Sequence, residues 1–453
     1  MEDLLETSEI ITDKRLLVEY LEAGCKPLSQ WKIGTEHEKF PYHLKNLRPL
    51  SYDEEFGILR LLQELQRFGW EPEFEGENII ALRKDGDGTI SLEPSGQLEL
   101  SGEAVSTIHQ TCDQVSRHLQ QVKAVASELD IGFLGLGYRP IGNIDDVPWM
   151  PKERYKIMTS EMPKGGELSL DMMYKTAGIQ INYDYTSEED FEKKFKIGNY
   201  LVPLAIAIFA NSPFNENKLS GYLSYRGKVW QKTSRGGIMP IAFEKVNFEK
   251  YIDHVVNYPI LFLKKNESYH YPNGQTFNDY LHGNLSFLKG KKPTLKDFEN
   301  HLGTIFTEIR LKQVIEFRSL DTCNFGCICN GPSFFTGLIY GSLDETFEII
   351  KNWRKEDVME AYLNAPKQGL NTLLSNKKLI DWGRIFLDLS KKGLEKRNEL
   401  NKSGKNETIY LKHIEEIINN KKTRAEMLIE QYNKTKKLDF LINHDENFSY
   451  SGF

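Results

Sequence analysis

The hydrophobic positions of the chain follow two periods, and the period of two residues predicts strands. Alternating or apolar runs bounded by Gly, Pro, Asn or Asp occupy the ranges 31–40, 78–83, 89–93, 97–101, 132–138, 176–185, 223–229 and 307–318. The segment Asp85-Gly-Asp-Gly88 predicts a turn, so we expect a meander over 78–101. Strands and helices do not alternate in βαβ order, which favours an antiparallel sheet in an α+β fold.

A period near 3.6 residues predicts helices between these strands. Ser51 and Glu54 have capping-box spacing, and an apolar stripe from Phe56 to Leu65 stops at Gly69, which predicts a helix over 52–68. A second stripe consists of Ile108, Cys112, Val115, Leu119, Val122, Ala126 and Leu129. We therefore expect Cys112 to be a core residue.

The remaining helical signals lie later in the chain. Ser187 with Asp190 and Thr294 with Asp297 each predict a helix start. The pattern is helical after Leu343 and becomes rich in Lys, Glu and Asn from about residue 391. We expect a catalytic domain over 1–390 and a helical C-terminal extension over 391–453 that packs on it.

Composition and charge exclude several classes of protein. The formal net charge of −7 argues against a nucleic-acid binder, which needs concentrated Lys and Arg to displace counterions. The longest apolar stretch, 200–210, is much shorter than the roughly 20 residues of a membrane span. Five cysteines are too few for a disulfide framework in 453 residues, and we expect thiols in a reducing compartment.

Glutamate residues recur at strand spacing in three short segments: Glu36 and Glu38 in 34–40, Glu93 and Glu99 in 91–100, and Glu316 in 314–321. Alternate side chains of a strand share a face, so Glu36 and Glu38 point the same way. A divalent cation relieves the repulsion of grouped carboxylates, and Mg²⁺ prefers oxygen ligands. The alternative is that these glutamates are solvated or form structural ion pairs. Their apolar flanks and the neighbouring arginines favour a magnesium-nucleotide site.

Arginines and one polar strand face supply the complementary groups. Forks for a carboxylate or phosphate can come from Arg154, Arg226, Arg235, Arg310 and Arg318. In 178–185, Gln180, Asn182 and Asp184 alternate with apolar side chains, so one face of this strand is polar. Such a face is typical of a pocket wall.

Several longer motifs occur in order between about residues 30 and 390. They are Gly34-Thr-Glu-His-Glu-Lys-Phe40, Gln97-Leu-Glu-Leu-Ser-Gly102, Arg154-Tyr-Lys-Ile-Met158, Leu170-Asp-Met-Met173, Ala210-Asn-Ser-Pro-Phe214, Gly221-Tyr-Leu-Ser224 and Glu299-Asn-His-Leu302. With these motifs the chain resembles the plant-type glutamate–cysteine ligase family, within the superfamily that includes glutamine synthetase. The resemblance implies a curved, mainly antiparallel sheet with the active site in its concave face and helices around it.

The same resemblance implies a reaction and a set of site residues. The reaction is ATP-dependent joining of the L-glutamate γ-carboxyl to the L-cysteine amine through a γ-glutamyl phosphate, the first step of glutathione synthesis. The resemblance assigns two or three Mg²⁺ ions, or Mn²⁺, to Glu36, Glu38, Glu93, Glu99 and Glu316, and it assigns catalysis to Arg318, Glu38 and Glu316. It places around the substrates and ATP the residues Arg154, Met173, Gln180, Asn182, Arg226, Arg235 and Arg310. A monomer or weak homodimer without nucleic-acid or membrane partners is expected.

Two alternatives to this function remain open from the sequence. One is a γ-glutamyl ligase that uses another amine as acceptor, and the other is a catalytically inactive regulator that binds glutamate or a nucleotide. Acceptor screening separates the first from a cysteine-specific enzyme.

The chain also departs from the plant pattern. Plant members carry a transit peptide, whereas the acidic start of this chain has no basic region followed by an apolar block, so we expect a cytoplasmic protein. Cys112 matches a plant cysteine that forms a regulatory disulfide, but no cysteine follows Cys329 to pair with it, and 269–288 contains none. We therefore expect dithiothreitol to leave the activity unchanged.

Overall fold

An antiparallel sheet of nine strands forms the centre of the fold in the computed structural model, which describes residues 9–265 and 268–442. Its strands are β1 (Ile33–His43), β2 (Glu71–Glu75), β3 (Asn78–Lys84), β4 (Gly88–Leu92), β5 (Leu98–Ser101), β6 (Ile131–Leu134), β7 (Gly178–Tyr183), β8 (Ile309–Leu311) and β9 (Ile315–Asp321). The order across the sheet is β8-β9-β7-β1-β5-β4-β3-β2, and β6 pairs with the far end of β1. The sheet is open, and the expected antiparallel α+β fold is confirmed.

The strand register places the glutamates of separate segments side by side. Glu38 is the antiparallel partner of Glu99, and Glu36 is the partner of Gln180. Glu316 is paired with Asn182 on one side and with Arg310 on the other. Because directly opposed residues of paired strands share a face, these side chains project from the same side of the sheet.

Sixteen α-helices surround the sheet in the described part of the chain. They are α1 (Arg15–Glu22), α2 (Ile58–Leu65), α3 (Ile108–Leu129), α4 (Glu153–Glu161), α5 (Ser169–Lys175), α6 (Glu188–Ile208), α7 (Tyr225–Gln231), α8 (Phe248–Val255), α9 (Phe277–Leu281), α10 (Leu295–Gly303), α11 (Asn330–Thr336), α12 (Leu343–Ile350), α13 (Lys355–Gln368), α14 (Leu379–Arg397), α15 (Lys412–Asn420) and α16 (Arg424–Thr435). Short hairpins pair Phe214–Asn215 with Lys218–Leu219, Leu263–Lys265 with Ser268–His270, and Leu373–Leu374 with Lys377–Lys378, and Gly236–Gly237 runs parallel to Phe306–Thr307.

The apolar face of the sheet forms the main core. Ile179 and Ile181 of β7 are fully buried in a cluster that includes most of α6. Their polar neighbours therefore lie on the opposite face, where the cavity described below is found. The core thus fixes which face of β7 carries the functional side chains.

Most predicted elements are present with shifted ends. The meander over 78–101 is confirmed as β3, β4 and β5, and 307–318 is confirmed as strand, divided into the hairpin of β8 and β9. The expected helix over 52–68 begins only at Ile58, because Gly57 is extended and the Ile58 N–H donates to the Ser51 carbonyl. Phe56 is consequently exposed, whereas Gly69 ends the segment in a left-handed conformation as expected.

The predicted strand over 223–229 is wrong, because α7 occupies this region. Ser224 caps the helix by accepting a hydrogen bond from the Gly227 N–H. Val229 of the predicted strand is buried on this helix, together with Trp230. This correction matters for the site, since Arg226 and Trp230 lie one turn apart on α7.

The expectation that all cysteines are thiols is also wrong. Cys112 is bonded to Cys329 and Cys323 to Cys327, with Cα separations of 6.0 and 6.1 Å, and Cys25 is free. No cysteine follows Cys329 in the sequence, but Cys329 itself is the partner of Cys112, because folding brings α3 against the start of α11. The basis for expecting no effect of dithiothreitol is thereby removed.

The C-terminal region is helical through α14, α15 and α16, and buried residues of α14 and α15 belong to the main core. The boundary at residue 390 stays a prediction, and residues 443–453 of the expected extension lie outside the described part. Within the described residues, no helix is both long and apolar enough to span a membrane.

Candidate active site

A cavity of about 570 Å³ lies over the polar face of the sheet. Four of the five predicted metal ligands line it, namely Glu36, Glu38, Glu93 and Glu99. Six other predicted site residues line it as well: Arg154, Met173, Gln180, Arg226, Arg310 and Arg318. The structure thus brings together residues that are up to 282 positions apart, from Glu36 to Arg318.

Three of the cavity glutamates are held by neutral donors. Asn182 Nδ2 donates to Glu36 Oε1 over 2.9 Å, and the Gly178 N–H donates to Glu38 Oε2. The Ser91 and Ser101 hydroxyls donate to Glu99 Oε1 over 3.3 and 2.9 Å. These contacts orient the carboxylates without neutralising them.

Burial and mutual repulsion favour the protonated form of these glutamates when no cation is bound. Burial, followed by the charges of Glu99 and Glu316, raises the pKa of Glu36 to about 7. Burial and the neighbouring Glu99 and Glu93 raise the pKa of Glu38 well above its usual range, and burial and Glu93 raise that of Glu99. A cation bound at this wall of the cavity would therefore favour the ionised form of the glutamates.

Glu316 differs from the other four because three cations surround it. Its Oε2 accepts from Arg310 Nε and lies 3.4 Å from Arg318 Nη1, and its Oε1 lies 2.8 Å from Lys312 Nζ. Burial alone would raise the pKa of Glu316, but Arg310, Lys312 and Arg318 outweigh burial and hold this pKa well below its usual range. Glu316 lies behind these cations and outside the cavity lining, and its predicted metal role stays a prediction.

The arginine side of the cavity is organised around Trp230. The guanidinium carbons of Arg226 and Arg318 lie 4.7 and 5.5 Å from the centroid of the indole. Arg226 Nη2 donates to the Arg318 carbonyl over 2.8 Å. Two cations are thus held beside each other on the cavity wall.

Asp321 at the end of β9 fixes the start of α7 and with it Arg226. The carboxylate accepts from the Ser212 hydroxyl over 2.6 Å and from the Ser224 hydroxyl over 2.9 Å. The Arg226 N–H in turn donates to Ser212 Oγ over 3.1 Å. A strand end and a helix start are therefore tied together next to the site.

Two predicted substrate residues lie outside the cavity lining. Asn182 Nδ2 donates to Glu36, which does line the cavity, and Asn182 is the strand partner of Glu316. Arg235 donates through Nε to the Thr304 carbonyl over 2.8 Å, through Nη2 to the Thr304 hydroxyl over 3.0 Å, and through Nη1 to the Pro259 carbonyl. All three nitrogens of Arg235 donate to neighbouring loops in the structure, and its predicted substrate contact stays a prediction.

Several cavity residues were given no role in the site from the sequence, although Glu299 stands in one of the quoted motifs. The main ones are Trp230, Lys312, Lys264, Lys296 and Glu299. Trp230 could have been found from the Ser224 cap, because the residue four positions after Arg226 on a helix shares its face. The lysines carry no comparable local signal.

A cluster of side chains that could bind a metal ion would support the predicted Mg²⁺ ligands. Among residues 9–265 and 268–442, no group of three or more His, Cys, Asp or Glu side chains has the spacing of a metal site. The four predicted ligands that line the cavity therefore do not form such a group in the structure. Their carboxylate oxygens are nevertheless ligands of the kind that Mg²⁺ prefers.

Comparison with solved structures identifies the fold. A crystal structure of glutamate–cysteine ligase from Francisella tularensis in complex with AMP aligns with a TM-score of 0.54 at 15% identity, covering 92% of this chain and 88% of that one. At this identity the likeness is one of fold. The chain therefore has the fold of that ligase, an open antiparallel sheet surrounded by helices.

Comparison with sequences is more specific. The model of glutamate-cysteine ligase family 2 matches residues 32–444. Chloroplastic glutamate–cysteine ligases of Solanum lycopersicum and of Oryza sativa subsp. japonica (ligase A) are each 43% identical over 436 residues, covering 95% of this chain and 82% and 87% of theirs. The chain belongs to glutamate-cysteine ligase family 2 and is an enzyme of the ATP-dependent ligase class.

The expectation of a cytoplasmic protein is contradicted by these relatives. Both are named as chloroplastic enzymes, as are those of Nicotiana tabacum and Arabidopsis thaliana. The acidic start of the chain was therefore an unsafe guide to its compartment.

Proposed function

We propose that the protein joins the γ-carboxyl of L-glutamate to the amine of L-cysteine with hydrolysis of ATP to ADP and phosphate, through a magnesium-dependent γ-glutamyl phosphate. The observation that carries the proposal is the shared cavity of a family member, which is lined by four predicted glutamate ligands together with four arginines. Both reactants of the first step are anions, so the site must neutralise charge before it can catalyse.

Glu36, Glu38, Glu93 and Glu99 are the proposed Mg²⁺ ligands. Three of them accept hydrogen bonds from neutral donors and have raised pKa values, which fits a wall that gains stability from a bound cation. When bound, Mg²⁺ would neutralise the triphosphate and orient it for in-line transfer. Glu316 is kept as a further ligand in the proposal, although Arg310, Lys312 and Arg318 occupy its oxygens in the structure.

Two arginines are assigned to the phosphoryl group and two to the carboxylates of the substrates. Arg318 and Arg310, which share Glu316, are proposed to stabilise charge on the phosphoryl group as the glutamate γ-carboxylate attacks the terminal phosphorus and ADP leaves. Arg226 and Arg154 are proposed to bind substrate carboxylates by bidentate hydrogen bonds. Gln180 and Met173 complete the wall around the glutamate.

The second step forms the amide bond. The neutral cysteine amine attacks the acyl carbon of the γ-glutamyl phosphate, a C–N bond forms, and the C–O bond to phosphate breaks. The amine proton leaves with the phosphate or with water. Arg318 stabilises the departing phosphate in the same position in which it stabilised the transferred group.

The direct test is release of ADP with glutamate and Mg²⁺ in the presence of cysteine or other amines, with mass identification of the product. We expect turnover with cysteine to exceed turnover with alanine, 2-aminobutyrate and glycine. A better acceptor among these amines would reassign the enzyme to another γ-glutamyl ligase, and no turnover with any amine would indicate a binding regulator. The expected monomer or weak homodimer is a separate prediction that light scattering after gel filtration would test.

A further inference from the structure

Glu308 is a buried carboxylate that the proposed chemistry does not use. It lies between Phe306–Thr307 and β8, and its side chain is 1% exposed. Its N–H donates to the Gly237 carbonyl over 3.0 Å, and its carbonyl accepts from the Arg318 N–H over 3.0 Å. The backbone of Glu308 is therefore fixed directly against the strand that carries Arg318.

One oxygen of this carboxylate is anchored and the other is not. The Tyr362 hydroxyl of α13 donates to Glu308 Oε1 over 2.8 Å. Oε2 is buried without a partner of good hydrogen-bond geometry, although the Ser319 hydroxyl lies close enough to the carboxylate to favour its ionised form. A buried carboxylate oxygen without such a partner destabilises the fold unless nearby positive charge compensates for the lost hydrogen bond.

The positive charge near Glu308 comes from Arg226 and Arg318, the two arginines on the cavity wall. Burial raises the pKa of Glu308, while Arg226, Tyr362, Ser319 and Arg318 act in the opposite direction and favour the ionised form. The Nε atoms of Arg226 and Arg318 are themselves buried without a hydrogen-bond partner. Both guanidinium groups lie over Trp230 and repel each other. Glu316 acts on Arg318 but is shared with Arg310 and Lys312, and Asp321 acts on Arg226 but accepts from two serines, so the charge of Glu308 adds to the stabilisation of the pair.

The cavity glutamates are unsuited to this task. In the proposed reaction they bind cations, so they cannot also serve as permanent partners of the arginines. Glu308 does not belong to the cavity lining, and Tyr362 holds it from behind. Without its charge, Arg226 and Arg318 would be drawn towards Glu36 and Glu38, whose charges already act on them.

We propose that Glu308 is a positioning residue: anchored by Tyr362, it holds Arg226 and Arg318 apart from the cavity glutamates and directed at the anionic groups of the substrates. The inference rests on the proposed function, because it assigns the two arginines to substrate anions. In this proposal the Glu308 carboxylate lies outside the cavity lining, acts only through the two arginines, and contacts neither substrate nor metal.

The test compares three variants of the full chain. Glu308→Gln removes the charge but still accepts a hydrogen bond from Tyr362, and Tyr362→Phe keeps the charge but removes its anchor. Glu407→Gln is the matched control, since Glu407 is equally buried and pairs with Arg397 over 3.1 Å but lies outside the cavity lining. Steady-state kinetics for glutamate and ATP, calorimetric binding of glutamate, and unfolding in urea are measured for each.

We expect Glu308→Gln to lower kcat/KM for glutamate by at least about tenfold, with a rise in KM and weaker calorimetric binding of glutamate. Tyr362→Phe should change the same parameters in the same direction by a smaller factor. Glu407→Gln should lower stability and leave the kinetic constants of the folded fraction within twofold. A purely structural role for Glu308 would instead reproduce the pattern of the Glu407 control.

A folded Glu308→Gln variant with kcat/KM within twofold of the wild type overturns the inference. If Glu308→Gln does not fold, unchanged glutamate kinetics in Tyr362→Phe overturn it equally. A wild-type protein that turns over no amino acid with ATP overturns the proposed function itself, whereas an active wild type with an unaffected variant removes only the role of Glu308.

Discussion

Glu38 and Glu99 are direct antiparallel partners on β1 and β5, so two buried carboxylates face the cavity from opposed positions. Opposed like charges destabilise a pair of strands, and burial adds a desolvation cost. Such an arrangement persists when function requires it. The pair is therefore a place where the fold gives up stability, which the proposed Mg²⁺ site would explain.

Glu99→Gln should separate stability from activity. Removal of one charge relieves the repulsion, so we expect the midpoint of urea unfolding without Mg²⁺ to rise, while ligase activity with Mg²⁺ falls by roughly a hundredfold. Glu103→Gln, an exposed glutamate just beyond the same strand, is the control and should change neither quantity. A Glu99→Gln variant that is less stable and fully active would contradict this account.

Glu316→Gln should have the opposite effect on stability. The substitution leaves Arg310, Lys312 and Arg318 without their shared carboxylate, so we expect the free energy of unfolding at pH 7 to fall by about 3 kcal/mol. The pKa of Glu316 is depressed in the folded protein, so its contribution is present above the ordinary value of 4.5 and is lost as the pH falls through the acid range. The difference between wild type and variant in urea titrations should shrink below pH 4.5, and a difference independent of pH would exclude the charge as its cause.

His301 should account for part of the acid sensitivity of the protein. Burial and Arg235 lower its folded pKa from 6.5 to about 3, and its Nε2–H donates to the Val255 carbonyl over 2.9 Å. Between these values the unfolded chain binds the proton and the folded one does not, so this stability is present above pH 6.5 and declines as the pH falls towards 3. In His301→Gln, which retains an N–H donor, stability measured at pH 7 and pH 5 should differ less than in the wild type. Equal differences in the two proteins would rule out this role.

The two disulfides predict a specific thiol count. Without reductant, a thiol reagent in denaturant should detect one thiol of the five cysteines, that of Cys25, and Cys112→Ser should add the thiol of Cys329. After dithiothreitol all five should react. Five thiols in unreduced protein would restore the original expectation from the sequence.

The sequence predicted features that depend on one strand and missed those that depend on two. Period-two spacing was enough to place Glu36 and Glu38 on one face, and the apolar alternation of β7 was enough to assign Gln180 to the cavity side. The opposition of Glu38 and Glu99 needs the pairing of β1 with β5, which no local pattern encodes. The same holds for Cys112 and Cys329, which are 217 residues apart.

Other misses arose from local signals that compete. The segment 223–229 has the aromatic and β-branched residues of a strand, but the Ser224 cap and the fixed hydroxyls around Asp321 favour α7. Arg235 stays a predicted substrate ligand, although its guanidinium donates to Thr304 and Pro259 in the structure. Residue type therefore indicates what a side chain can bind, and only the surrounding fold decides which partner it has.

The central claim is that glutamate is activated by phosphorylation within this cavity, and isotope transfer tests it most directly. L-Glutamate labelled with ¹⁸O in its γ-carboxyl is turned over with ATP, Mg²⁺ and cysteine, and the released phosphate is analysed by mass spectrometry. Because one carboxyl oxygen bridges to phosphorus in a γ-glutamyl phosphate, we expect one labelled oxygen in each phosphate formed. Product accompanied by unlabelled phosphate would contradict the claim.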